Sequence, residues 1–223
     1  MTIAERIDRI TKTLPNGVKL VAVSKTKPIS DILAAYNSGQ RLFGENKALE
    51  MRDKHALLPA DIRWHFIGHL QRNKVKYIAP FVSVIHSVDS PNLLTEINKE
   101  ATKNHRKIDC LLQIRLSNEE TKYGMEVSEA RTLLASEAIR ELPNVQLCGV
   151  MGIGSITEDK SLTRKEFAAL AATFREFKQR FFADNEAFCE ISMGMSDDYC
   201  IAVEEGSTII RIGSTIFGSR TYL

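Results

Sequence analysis

A lysine at the end of the first strand-like segment has the chemistry of an amine nucleophile. Residues 21–28 read VAVSKTKP, and Lys25 has the same parity as Val21 and Val23, so the three side chains lie on one face of a strand. Partial burial lowers the pKa of an amine and leaves enough of it neutral to attack a carbonyl carbon, as a Schiff-base lysine does. The alternative is a strand-end lysine that extends into solvent.

Glycines beside hydroxyl residues, a pattern that can hold an anion, occur near the end of the chain. Ser192 begins the sequence SMG after one strand-like segment, and Gly213 and Ser214 follow the next one. Strand–helix barrels often hold phosphate after their last two strands, where glycines let backbone N–H groups point at the anion. Tight turns explain the glycines but not both hydroxyl groups. Together with Lys25, these residues predict that the ligand is a phosphorylated aldehyde.

Strand and helix patterns alternate about eight times along the chain. Apolar residues at helical spacing also precede the first strand, from Ile3 to Leu14, and no Pro/Gly/Ser-rich linker interrupts the alternation. The sequence therefore predicts an α/β fold in which residues 1–223 form a single (β/α)₈ TIM barrel with an extra N-terminal helix. The alternative is an open doubly wound sheet, which normally has a phosphate-binding glycine loop where this chain has SKTKP.

Composition is that of an ordinary globular chain. Its 223 residues are 43% hydrophobic and 26% charged, and 30 basic residues against 28 acidic ones give a net charge of +2. This balance predicts no nucleic-acid partner. No apolar run approaches membrane-spanning length and the first residues lack a signal-peptide core, so we expect no membrane partner and a cytoplasmic location. The four cysteines have no C-x-x-C spacing, which predicts reduced, buried thiols and no metal site.

Five ordered motifs give the chain a family resemblance that spans nearly its whole length. They are residues 22–28 (AVSKTKP), 43–46 (FGEN), 64–74 (WHFIGHLQRNK), 192–196 (SMGMS) and 211–218 (RIGSTIFG). With these motifs the sequence resembles the pyridoxal-phosphate homeostasis protein family. That family is similar to the barrel domain of alanine racemase standing alone.

The resemblance implies pyridoxal 5'-phosphate (PLP) as the cofactor and indicates which residues hold it. Lys25 would carry PLP as a Schiff base, with Lys27 as the second-choice amine. The other implied contacts are Ser192, Gly213 and Ser214 to the phosphate, Arg211 to the pyridine nitrogen, Asn46 to the ring, and Met193 in the pocket wall. Lys122 also matches a family lysine, without an implied role.

Arg211 bears on whether such a protein catalyses a reaction. A guanidinium stays charged and only donates hydrogen bonds, so it leaves the pyridine nitrogen unprotonated and the ring a poor electron sink. Racemisation needs a second base on the opposite face of the cofactor. In the racemase that base comes from another subunit's second domain, and this chain ends at Leu223, just after the eighth strand.

The function that we expect is therefore binding rather than turnover. The protein would act in intracellular PLP homeostasis as a monomer without catalytic residues, with apo PLP-dependent enzymes as recipients of the cofactor. A PLP-dependent amino-acid racemase is the first alternative, with His65 or His69 as the candidate base. A Schiff-base aldolase, which needs no cofactor, is the second.

Overall fold

The computed structural model describes residues 1–116 and 123–218, so Lys122 lies outside the described residues. Eight parallel strands close into a barrel in chain order: β1 Lys19–Val23, β2 Leu42–Glu45, β3 Arg63–Phe66, β4 Val84–Val88, β5 Ile108–Gln113, β6 Val145–Met151, β7 Glu190–Ser192 and β8 Ile209–Ile212. Pairing of β1 with β8, which sets Val21 opposite Arg211, closes the ring. The predicted TIM barrel is confirmed, and the open doubly wound sheet is wrong.

Helices connect the strands and surround the barrel. They are α1 Ile3–Thr13, α2 Ile29–Asn37, α3 Ala48–Leu57, α4 Pro91–Lys103, α5 Val127–Ala135, α6 Lys160–Phe181, α7 Tyr199–Glu204 and α8 Ser214–Phe217, with 3₁₀ helices at Arg72–Tyr77 and Glu137–Glu141. The extra N-terminal helix α1 is confirmed, and Thr2 and Glu5 form its reciprocal capping box. The short helix α8 after the last strand is a feature that sequence analysis does not predict.

Side chains of each strand alternate between two apolar layers. One layer lies between the sheet and the helices and includes Leu20, Ala22 and Trp64. The other fills the inside of the barrel and includes Val21 and Leu111. The parity predicted for β1 is therefore correct, because Val21 points into the barrel and its neighbours point toward the helices.

Three further features of the described residues concern membrane-spanning helices, metal ligands and cysteines. No helix within residues 1–116 and 123–218 is both long enough and apolar enough to cross a membrane. In the same residues, no group of three or more His, Cys, Asp or Glu side chains is arranged to hold a metal ion. All four cysteines are free thiols, but only Cys110 and Cys148 are buried. The expectation of buried thiols is wrong for Cys189 and Cys200, which lie at the surface.

Candidate functional site

A cavity of about 400 Å³ opens at the carboxyl ends of the strands. Five of the predicted site residues line it: Lys25, Asn46, Arg211, Gly213 and Ser214. They follow or end β1, β2 and β8, which are neighbours in the closed barrel. The topology thus brings an amine, a guanidinium and a glycine–serine turn to one concave surface, as expected for this face of a (β/α)₈ barrel.

The turn that carries Lys25 is fixed on both sides. Lys25 is half-buried and follows β1 by two residues. Before it, the hydroxyl of Ser24 donates a hydrogen bond to Oε1 of Glu45 at 2.6 Å. After it, the backbone N–H of Thr26, in the left-handed region at φ 64°, donates to Oε1 of Glu50, also at 2.6 Å. These two bonds hold the backbone from which the lysine projects.

A buried ammonium joins the two carboxylates beneath this turn. Nζ of Lys54 lies 2.7 Å from Glu45 Oε1 and 2.7 Å from Glu50 Oε1, and it also donates to the carbonyl oxygen of Ser24 at 2.8 Å. Burial raises the pKa of Glu45 although Lys54 opposes the shift. Partial burial also raises the pKa of Glu50, but hydrogen bonds from Lys54 and Thr26 outweigh it and lower that pKa below its usual value. The ammonium of Lys54 therefore pairs with two carboxylates at once.

The second predicted amine, Lys27, has a different environment. It also lines the cavity, but its Nζ donates to the backbone carbonyls of Phe217 at 3.1 Å and Gly218 at 3.2 Å. These carbonyls end α8, where a cation offsets the negative end of the helix. Lys27 thus supports the end of α8, whereas Lys25 projects from the fixed turn.

The glycine–serine turn after β8 presents backbone amides to the cavity. Helix α8 begins at Ser214, and the carbonyl of Gly213 accepts from the N–H groups of Ile216 and Phe217 at 3.0 and 2.9 Å. The first amides of a helix have no acceptor within it, so they can bind an anion. A Cβ on Gly213 would lie 3.3 Å from Cβ and O of Val23, so glycine allows this turn to pack closely on β1.

Arg211 is a buried cation that faces the cavity. Its exposed fraction is 4%, and its guanidinium donates from Nη1 to Ser192 Oγ at 2.6 Å and from Nη2 to the carbonyl of Gly152 at 3.0 Å. Burial lowers its pKa to about 10, against an opposing effect of Asp198. The group is therefore charged at neutral pH. No carboxylate of the described residues forms an ion pair with it, so its charge is open to an acceptor in the cavity.

Two predicted residues are not brought to the cavity wall. Ser192 is fully buried, and its Oγ contacts Nδ1 of His86 at 2.9 Å as well as Arg211. Met193 is also fully buried and belongs to the apolar layer under the helices. The neighbouring Met195 and Ser196 line the cavity instead. Ser192 ends β7 with its side chain inside the barrel, so the chain reaches the cavity only beyond the next turn.

Asn46 and the loop after β3 form the opposite side of the cavity. Oδ1 of Asn46 is buried and has no hydrogen-bond partner among the described residues. Gly68 lies against it so closely that a Cβ would come within 2.5 Å of the Asn46 carbonyl oxygen. The sequence predicts Asn46 as a site residue but gives Gly68 no role, since only the fold shows their contact.

The two histidines proposed as bases separate in the structure. His69 lines the cavity, where its ring stacks on Tyr123 at 3.9 Å and its Nδ1 lies 3.1 Å from Asp89 Oδ2. His65 lies inside the barrel, away from the cavity wall, and burial lowers its pKa to about 3. Of the two, only His69 lines this cavity. No local sequence pattern predicts the stacking of Tyr123 on His69, because the two residues lie 54 positions apart in the chain.

Comparison with known proteins decides the family. A family model described as alanine racemase, N-terminal domain, matches residues 1–221. The pyridoxal phosphate homeostasis protein of Aquifex aeolicus (strain VF5) is 40% identical, with all of both chains aligned. The chain belongs to the pyridoxal phosphate homeostasis protein family. A human member of this family is 38% identical over 98% of this chain and 84% of the human one, and the predicted resemblance is confirmed.

Solved structures of related proteins agree with this assignment. PipY of Synechococcus elongatus PCC7942 without PLP is 36% identical, with a TM-score of 0.91 over 97% of this chain and all of that one. The same protein with PLP bound is 35% identical, with a TM-score of 0.88 over the same shares. Alanine racemase from Bartonella henselae is 13% identical, and this chain covers 58% of it with a TM-score of 0.71. The likeness to the racemase structure, at this identity, shows a shared fold.

Proposed function

We propose that this chain binds PLP in intracellular PLP homeostasis, and that the cofactor occupies the 400 Å³ cavity in covalent attachment to Lys25. The observation that carries the proposal is the meeting of Lys25, Arg211 and the Gly213–Ser214 turn at one cavity. The relative PipY, at 35% identity, has a structure with PLP bound. We propose that residues 1–223 act as one PLP-binding domain.

The groups around the cavity fit the chemistry of PLP. Its phosphate needs N–H and hydroxyl donors, which Gly213 and Ser214 supply at the start of α8. Its pyridine nitrogen needs a donor, and Arg211 has N–H groups beyond the two that bind Ser192 and Gly152. Its ring hydroxyl needs an acceptor, and Oδ1 of Asn46 is a buried acceptor with no partner within residues 1–116 and 123–218. In this proposal Ser192 acts through Arg211, and Met193 supports the loop from the core.

The same residues favour holding the cofactor over using it. When bound, PLP supplies an aldehyde that an amine can attack and a ring that can accept electrons. Arg211 remains charged up to a pKa of about 10 and has no proton acceptor to offer, so it cannot keep the ring nitrogen protonated. The turn around Lys25 is fixed by Glu45 and Glu50, which orients the amine. This arrangement fits a carrier without catalytic turnover.

Lys25→Ala and Lys27→Ala form a matched pair for the test of attachment. Purified protein mixed with PLP would give the visible absorption of a Schiff base. After borohydride reduction, mass spectrometry would place the added group on the peptide that contains Lys25. We expect Lys27→Ala to keep both signals and Lys25→Ala to lose both. Attachment that persists in Lys25→Ala, or a protein that never binds PLP, contradicts the proposal.

The proposal also includes transfer of PLP to other enzymes, a cytoplasmic location and a monomeric state. Loaded protein should restore activity to an apo PLP-dependent enzyme even when a scavenging enzyme destroys free PLP in the same solution. Restoration that disappears with the scavenger would show release rather than transfer. Light scattering after gel filtration should give the mass of one chain, and a fluorescent fusion should spread through the cytoplasm.

An amino-acid racemase is the second candidate, and one observation favours it. His69, paired with Asp89, lines the same cavity as Lys25, so two groups able to move protons face one ligand. The test is proton exchange at the α-carbon of L-alanine in D₂O, together with chiral analysis after long incubation. Inversion that is lost in His69→Gln would replace the carrier proposal, whereas the carrier proposal expects no inversion in either protein.

A further inference from the structure

A second cavity, of about 230 Å³, opens at the opposite end of the barrel. Its polar lining comes from the beginnings of the strands, and includes Lys19, Arg63, Asp109 and Glu190. His65 also lines it, with an exposed fraction of 2%. Nε2 of His65 is buried and has no hydrogen-bond partner in the described part of the chain. Such an atom needs a partner, so its position points to a ligand in this cavity.

A chain of hydrogen bonds connects this histidine to the other end of the barrel. Nδ1 of His65 lies 2.8 Å from Nε2 of His86, and Nδ1 of His86 lies 2.9 Å from Oγ of Ser192. The guanidinium of Arg211 donates to the same Oγ at 2.6 Å. Four side chains thus cross the inside of the barrel, from the cavity at the carboxyl ends to the one at the amino ends.

The direction of these hydrogen bonds follows from which groups can donate a hydrogen and which can accept one. The guanidinium of Arg211 only donates, so Ser192 accepts from it and gives its own hydrogen to Nδ1 of His86. Burial keeps both histidines neutral, with one ring hydrogen each. His86 therefore carries its hydrogen on Nε2 and donates it to Nδ1 of His65. The hydrogen of His65 is then on Nε2, which makes the atom without a partner a donor.

Charged side chains of both signs line the second cavity. Lys19 and Glu190 form an ion pair with each other, and Glu190 also accepts from the hydroxyl of Thr208 at 2.6 Å. Arg63 and Asp109 have no ion-pair partner among residues 1–116 and 123–218. The cavity therefore contains the guanidinium of Arg63, one N–H donor and the carboxylate of Asp109. That carboxylate also interacts with Arg106 and with the thiol of Cys148. Its volume is below the 300–1,000 Å³ of typical ligand pockets, which limits the occupant to a small molecule.

We propose that this cavity binds a small zwitterion of the α-amino-acid class, with its carboxylate at Arg63 and His65 and its ammonium at Asp109. A simple anion would meet repulsion from Asp109, and a simple cation would meet repulsion from Arg63, whereas a zwitterion satisfies both groups. This cavity and the proposed PLP site lie at opposite ends of the barrel, so each can be filled without the other.

The test uses the full chain without PLP and glycine as the probe. Nuclear magnetic resonance of ¹⁵N-labelled histidine rings would follow the Nε2–H signal of His65 at constant ionic strength. We expect a saturable shift with glycine, and a much weaker response to acetate or methylammonium. Because the measurement is made before any PLP is added, its failure is distinct from failure of the proposed function.

Three variants decide the outcome. Arg63→Gln and Asp109→Asn each remove one charged contact and should weaken glycine binding about tenfold. Arg72→Gln is the matched control, because this exposed arginine follows the carboxyl end of β3 rather than its beginning, and it should bind glycine as the unaltered chain does. No saturable shift, equal binding in Arg63→Gln, or an acetate response as strong as that of glycine would overturn the proposal.

Discussion

Lys54 and Glu45 form a buried ion pair at 2.7 Å directly beneath the turn that carries Lys25. Both side chains are nearly inaccessible to solvent, with exposed fractions of 8% and 0%. A lysine on a helix is usually exposed, and here its amine serves two carboxylates and one carbonyl oxygen. The relationship ties the position of the proposed PLP-binding lysine to the interior of the protein.

Lys54→Met tests this link. Removal of the ammonium leaves Glu45 buried without its charge partner, so we expect the free energy of unfolding to fall by about 3–5 kcal/mol. Urea denaturation measures this change, and PLP titration should show weaker binding because the turn loosens. Lys99→Met is the control, since Lys99 pairs with Glu96 at the surface. This substitution should lower the free energy of unfolding by less than about 1 kcal/mol. Similar losses in the two variants would contradict the assigned role of Lys54.

Ser192 and Ser214 offer a test of how the phosphate is held. We expect Ser214→Ala to weaken PLP about tenfold but to leave pyridoxal, which lacks the phosphate, unaffected, because one donor to the phosphate is lost. Ser192→Ala should weaken both ligands to a similar degree, since it disturbs Arg211 rather than the phosphate site. Fluorescence titration with the two ligands gives the ratios. Selective loss of PLP binding in Ser192→Ala would instead support the direct phosphate contact predicted from the sequence.

Buried histidines predict a dependence of stability on pH. Burial, with smaller effects of Arg63 and Lys19, lowers the pKa of His65 to about 3, against an ordinary value of 6.5 in the unfolded chain. The unfolded state therefore binds more protons below that value, so stability is present above pH 6.5 and is lost as the pH falls. For His65 alone we expect a loss of about 2 kcal/mol between pH 7 and pH 5.

Urea unfolding of His65→Asn at the two pH values isolates this contribution. The difference between the unaltered chain and the variant removes the effect of Glu45, whose raised pKa gives the opposite slope. His105→Asn, at an exposed position, should keep the full loss at pH 5. A pH dependence that is the same in all three proteins would mean that His65 is protonated in the folded state.

The sequence predicts the barrel, and it predicts five residues that line the cavity, because both depend on local pattern and topology. Alternation of strand and helix gives the fold, and the rule that parallel strands bring their carboxyl ends together places Lys25 near Gly213 and Ser214. Parity within β1 gives the correct face for Val21, and Lys25, two residues after the strand, lines the cavity.

The remaining contacts depend on register and packing, which no local pattern contains. Ser192 meets Arg211 because the pairing of β7 with β8 sets Ser192 opposite Ile209, two residues before the arginine. The same limit applies to Lys54, whose helix must face β2 before its amine can reach Glu45. Contacts of this kind follow from the closed barrel as a whole, so they enter only with the structure.

Gly68→Ala tests whether packing in the loop after β3 positions Asn46. A Cβ at this position would lie 2.5 Å from the Asn46 carbonyl oxygen and 2.6 Å from its Cβ, so the asparagine has to move. We expect PLP binding to weaken about tenfold and the free energy of unfolding to fall by about 1–3 kcal/mol from overpacking. Asn46→Ala should weaken binding by a similar factor. If Gly68 acts through Asn46, the double variant binds no worse than Asn46→Ala alone, whereas additive losses would give the two residues separate roles.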